Sequence, residues 1–257
     1  MPDYIEYFLF LGFTGLMFLL RLDTRRFGAA EWDTERGGWR AWAPRLTWYI
    51  GGIALALLIF ALHPSPVSDL NLSFVPDRGG AIFVGLFYGI CGSVFAFGIA
   101  WVRGGRMRLP STDRFPGGVL SSIGTAFYDE FLFRGVILGL LLGLGLPDWV
   151  AVVAAAILYA GTVRASTTGR GVLDTAVALV IGLASGLVVL LTAGIAGAIV
   201  GDAITRFALF LALGDPHPDT LQGTLSEAEL YVIPPREGPP DIGGDDGRGG
   251  LGPVRPA

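Results

Sequence analysis

Seven stretches of the chain are apolar over lengths that suit helices crossing roughly 30 Å of hydrocarbon. They run near residues 4–20, 46–62, 80–102, 118–146, 148–163, 171–192 and 195–213. The pattern predicts an all-α fold, a polytopic membrane helix bundle of about seven transmembrane helices. Within the apolar runs, glycines recur every fourth residue at Gly135, Gly139 and Gly143, at Gly182 and Gly186, and at Gly197 and Gly201. That spacing puts each set on one helix face, where small residues let neighbouring backbones approach closely.

The polar segments between the runs alternate in arginine content. Residues 21–45 hold Arg21, Arg25, Arg26, Arg36, Arg40 and Arg45, residues 103–116 hold Arg103, Arg106, Arg108 and Arg114, and Arg164 and Arg170 follow the fifth run. The opposite side carries Arg78 alone. Because arginine retention marks the cytoplasmic side, the N-terminus is expected outside and the C-terminal tail inside. Trp48 and Trp101 fall at expected inner edges and Trp149 at an outer edge, while Trp32, Trp39 and Trp42 suggest a segment lying on the inner leaflet. The first run follows Asp3 and Glu6 instead of a basic stretch, which predicts a retained span and not a cleaved leader. From Gly214 onward the sequence turns to Pro, Gly and acid, a composition expected to be disordered. Three regions result: an N-terminal hairpin with an Arg/Trp-rich loop (1–79), a membrane core (80–213) and the tail (214–257).

Composition sharpens this. With 52% hydrophobic and 16% charged residues and a mean hydropathy of +0.60, membrane lipid is the expected surrounding. Every basic residue is arginine and the net charge is −4, which excludes a broad basic surface and with it nucleic acid as a partner. Cys91 is the single cysteine, so no intramolecular disulfide and no cysteine zinc site can form, and it is expected as a small core residue. His63 and His217 are expected as solvated residues of an outer loop and of the tail. No cofactor-binding motif stands out, and no metal site is expected.

The fourth run is interrupted by Asp129, Glu130 and Arg134, the seventh by Asp202 and Arg206. An ionised side chain at the bilayer centre costs roughly 2.5–3.5 kcal/mol, so five unpaired ones would cost on the order of 12–17 kcal/mol. Pairing is therefore close to obligatory. Glu130 to Arg134 and Asp202 to Arg206 are each i,i+4, about 6 Å apart along one helix face. In antiparallel helices the order is complementary: Asp202 can meet Arg134, and Arg206 can meet Glu130 or Asp129. Intrahelical bridges are the alternative. Either way, three acids face two arginines.

The segment Asp129-Glu130-Phe131-Leu132-Phe133-Arg134-Gly135 resembles the EExxxRG signature of the CAAX-protease and bacteriocin-processing (CPBP, or Abi) family of intramembrane proteases. Tyr159 to Val163 stands where that family has FxxxH, Thr192-Ala193-Gly194 where it has a TGS-like turn, and Asp202 to Arg206 where it has HxxxN. The resemblance covers about residues 80–213. It implies a multi-helix bundle in a bacterial or archaeal plasma membrane that cleaves prenylated or leader-bearing peptides, with Asp129, Glu130 and Arg134 at catalytic motif positions. The departures are severe. Asp129 is one methylene shorter than the motif glutamate, Val163 replaces one histidine, and Asp202 and Arg206 replace the final histidine and asparagine.

Hydrolysis needs a base for water and donors for the developing oxyanion. Valine offers neither, an arginine occupies the lone pairs of a neighbouring carboxylate, and two arginines oppose a divalent cation. Three readings stay open. The chain is a degenerate family member that binds hydrophobic or lipidated peptides, an active endopeptidase using Asp129 or Glu130 as base, or a proton-coupled carrier.

Overall fold

The computed structural model describes residues 4–22, 39–72, 78–104, 115–166 and 172–213. The tail expected from Gly214 and the Trp32 part of the expected interfacial segment lie outside them. Among the described residues every regular element is a helix, and there is no strand. In chain order the elements are α1 (Tyr4–Leu22), α2 (Trp39–Leu62), the short α3 (Pro66–Asp69), α4 (Arg78–Gly104) and α5 (Phe115–Asp129). A π-helical segment (Glu130–Ile137) continues α5 without a break and leads into α6 (Leu138–Gly143); α7 (Asp148–Ser166), α8 (Val172–Thr192) and α9 (Ala196–Leu213) follow.

Helices α1, α2, α4, α7 and α8 are each long and apolar enough to cross a membrane. They expose large apolar side chains such as Phe8, Phe83, Phe87, Leu187 and Leu191. A bundle surrounded by lipid tolerates such a surface, because hydrocarbon solvates it. Cys91 belongs to this surface and is exposed, correcting the expectation that it packs in the core. In such a bundle, apolar character does not imply an inward position.

Glycines set the close approaches. Along α4 and α9, a Cβ at Gly197 would stand 2.7 Å from the Ala81 carbonyl oxygen, and one at Gly89 would stand 2.8 Å from Ile204. Gly201 lies under the Tyr88 ring. Helix α9 is thus drawn into the interior, carrying Asp202 and Arg206 with it. Gly182 and Gly186 do the same for α8 against Ala156 and Val152 of α7. At Gly139, a Cβ would meet Asp69 O and Leu70 Cα at 2.8 Å. This is how the segment after α3 crosses the central helix, and Asn71 N–H secures the crossing by donating to Gly135 O at 3.1 Å.

The central run from α5 to α6 is buried on all sides from Tyr128 to Leu141. An all-round apolar helix belongs in the middle of a bundle. On α1, by contrast, the buried residues are Phe13, Met17 and Arg21, one stripe with i,i+4 spacing that faces this core.

A candidate functional site of buried ion pairs

The motif residues open the π-helical segment. Its hydrogen bonds reach back five residues, as when Leu138 N–H donates to Phe133 O, and such local widening is often found at functional sites. Asp129 and Glu130 have no solvent exposure, and neither has Asp202; Arg134, Arg21 and Arg206 are 2%, 4% and 5% exposed.

Asp129 is held on both oxygens. Arg21 Nη2 donates to Oδ1, and Arg206 Nη2 donates to Oδ2 at 2.8 Å. Arg206 also donates to the Tyr159 hydroxyl at 2.7 Å, and that hydroxyl donates in turn to Asp129 Oδ2 at 3.4 Å. Its Nε donates to Asp202 Oδ2 at 2.7 Å. Arg21 lies in an aromatic nest, its guanidinium 5.1 Å from the Trp48 ring centroid, 5.6 Å from Tyr128 and 5.9 Å from Phe133. Trp48 is fixed by its own indole N–H, which donates to Leu20 O at 3.2 Å. Its side chain is buried.

The second pair is looser. Arg134 Nη1 lies 3.5 Å from Glu130 Oε1, with the guanidinium 4.6 Å from the Tyr159 ring centroid. Both Glu130 carboxylate oxygens, both Arg134 terminal nitrogens and Asp202 Oδ1 are buried without a hydrogen bond.

The structure thus divides the expected pairings. The cross-helix contact of Arg206 with Asp129 forms. The expected contact of Arg134 with Asp202 does not: Arg134 pairs with Glu130 and Asp202 with Arg206, each within its own helix. The reason is Arg21. With Arg21 and Arg206 on either side of Asp129, three arginines face three acids, and Arg206 can bind Asp129 and Asp202 together. The surplus of acid in the fourth and seventh runs was the sequence signal that another cation had to arrive from elsewhere. Arg21 read as a loop residue because positive charge after a first span usually marks the cytoplasmic side. Its place in the Phe13, Met17, Arg21 stripe pointed the other way.

Val163 is buried one turn after Tyr159, and its side chain carries no polar atom. Tyr159, at the motif's aromatic position, makes the polar contacts on that helix instead. Arg45 adds a further buried guanidinium near α5, donating to Ser121 Oγ at 3.2 Å.

Residues 111–208 match the family model of the Rce1-like Type II CAAX prenyl endopeptidases. This segment is Rce1-like. The match spans all the motif positions from Asp129 to Arg206 and agrees with the resemblance to CPBP proteases, and with the apolar helices it makes the chain a multi-pass membrane protein. No curated protein and no solved structure matches the chain.

Proposed function

We propose that this Rce1-like chain is catalytically degenerate and acts as a membrane protein that binds hydrophobic or lipidated peptides. One observation carries the reading: both oxygens of Asp129 are occupied by arginine. A carboxylate with a guanidinium on each oxygen is poorly placed to take a proton from a water molecule. Val163 supplies no proton carrier, and Arg206 fills the place where the family has an amide. Hydrophobic peptide binding rests on the family's chemistry and on the retained bundle. The arginine distribution supports an outside N-terminus and a cytoplasmic tail.

The test is direct. Purified full-length protein incubated with prenylated CAAX-type peptides yields no cleavage products, while a photo-crosslinking prenyl peptide labels it. Cleavage abolished by Glu130→Gln would overturn the proposal. It would favour the second reading, an active endopeptidase, for which the specific support is that both Glu130 oxygens lack hydrogen-bond partners.

A further inference from the structure

A second group of ionisable side chains lies apart from the charge cluster. His63, at the end of α2, is buried, with 4% exposure, correcting its expected place as a solvated loop residue. Its Nδ1 accepts a hydrogen bond from Ser65 N–H at 3.1 Å and lies 4.0 Å from Asp69 Oδ2. Glu6 comes from the first turn of α1. Each of the three residues brings one possible ligand atom to within 4.8 Å of the other two.

The hydrogen bonds here do not balance. A neutral ring that accepts at Nδ1 carries its proton on Nε2, and that nitrogen is buried without a partner; so is Glu6 Oε2. Buried polar atoms are rarely left this way, and each such case calls for an explanation. Two carboxylates and one imidazole are donor types that a divalent ion accepts together.

We propose that Glu6, His63 and Asp69 form a binding site for a divalent transition-metal ion, with zinc the best match. Imidazole nitrogen and carboxylate oxygen are both zinc ligands, at about 2.0–2.2 Å, and water fills the remaining position of a four-coordinate ion. A nitrogen and an oxygen on one tetrahedral ion stand about 3.4 Å apart by those bond lengths, so the 4.0 Å between His63 and Asp69 closes with a small side-chain rotation. His63 Nδ1, which bears the lone pair, is the ligand atom. Ser65 N–H gives up its bond to the ion, and the ring keeps its proton on Nε2, which faces away from the ion across the ring.

The glycine stripe of the central helix positions the ligands. Gly139 admits the backbone of Asp69 and Leu70, and a Cβ at Gly143 would touch the Glu6 carboxylate at 3.6–3.7 Å. The ion joins α1, the end of α2 and α3 over that stripe. Glu6 and Arg21 are fifteen residues apart on α1, about 22 Å at 1.5 Å per residue. The ion therefore fastens one end of α1 while Asp129 fastens the other.

The experiment uses full-length protein in detergent, stripped with chelator, dialysed against zinc and assayed for metal by mass spectrometry. The expected result is one zinc per chain and a higher unfolding temperature than the stripped protein. The double variant Cys91→Ser/His217→Gln, which leaves His63 as the single imidazole, binds equally well. His63→Gln and Glu6→Gln fall to the level of a protein-free control. Should those variants fail to purify, cobalt(II) added to Cys91→Ser/His217→Gln gives the visible absorption of a nitrogen-ligated ion. Zinc absent from the unmutated protein, zinc retained by His63→Gln, or no cobalt spectrum overturns the proposal. Peptide cleavage plays no part in these readouts, so the outcome is independent of the function proposed above.

Discussion

Replacing Arg21 with methionine tests the charge balance. The substitution keeps much of the side-chain volume in the nest of Trp48, Tyr128 and Phe133 but removes one of the two cations on Asp129. Removing one member of a buried ion pair costs about 3–5 kcal/mol, because the remaining charge is left desolvated. The loss of cation–π contact adds up to about 2 kcal/mol in a desolvated site. Arg206 stays on Asp129, which argues for the lower half of the combined range. The decisive measurement is the double variant Arg21→Met/Asp129→Asn. It removes one charge of each sign, leaving Glu130, Asp202, Arg134 and Arg206 balanced, so most of the single-site loss returns. A coupling free energy of about 2–3 kcal/mol is expected, within the range seen for contacting residues. Reversible unfolding in mixed micelles, followed by circular dichroism across the four-protein cycle, measures it. Strict additivity, or an Arg21→Met protein as stable as the parent, would refute the claim that the first helix neutralises the site.

Three further outcomes follow from the same geometry. Tyr159→Phe removes the hydroxyl between Arg206 and Asp129 and is expected to cost about 1–3 kcal/mol, since hydrogen bonds to charged groups lie at the high end; the same unfolding assay reads it. Asp202→Asn leaves the cluster with one positive charge in excess and is expected to destabilise by several kcal/mol, whereas adding Arg206→Met restores neutrality and part of the stability; equal stability of the single and double variants would count against the shared role of Arg206. Gly139→Ala places a methyl 2.8 Å from the Asp69 and Leu70 backbone and is expected to cost about 1–3 kcal/mol by overpacking, with faster proteolysis of the 63–72 segment as the visible sign.

The amino-acid sequence by itself determined the helical, membrane-embedded class of this protein. Burying backbone in lipid allows few solutions, and apolar runs of span length are a local property of the chain. It also determined that five charges, Asp129, Glu130, Arg134, Asp202 and Arg206, had to be satisfied, because the cost of leaving them in hydrocarbon is large whatever the packing. Glycine spacing marked the close faces in advance, since a fourfold repeat always shares one side of a helix.

Which charge meets which was decided by the tertiary structure. Arg21 is separated from Asp129 by 108 residues, and no periodicity in either segment encodes their contact; it arises because the stripe of Phe13, Met17 and Arg21 packs on the central helix. Its arrival lets Arg206 hold two acids and leaves Arg134 to Glu130, pairings that the surplus of acid could not assign. The same holds for His63. A lone histidine beside a proline reads as a loop residue, and only the crossing of α3 over Gly139 carries it into the interior beside Glu6 and Asp69. Local sequence fixes what a helix offers on each face, whereas contacts between distant segments depend on how all the faces fit together.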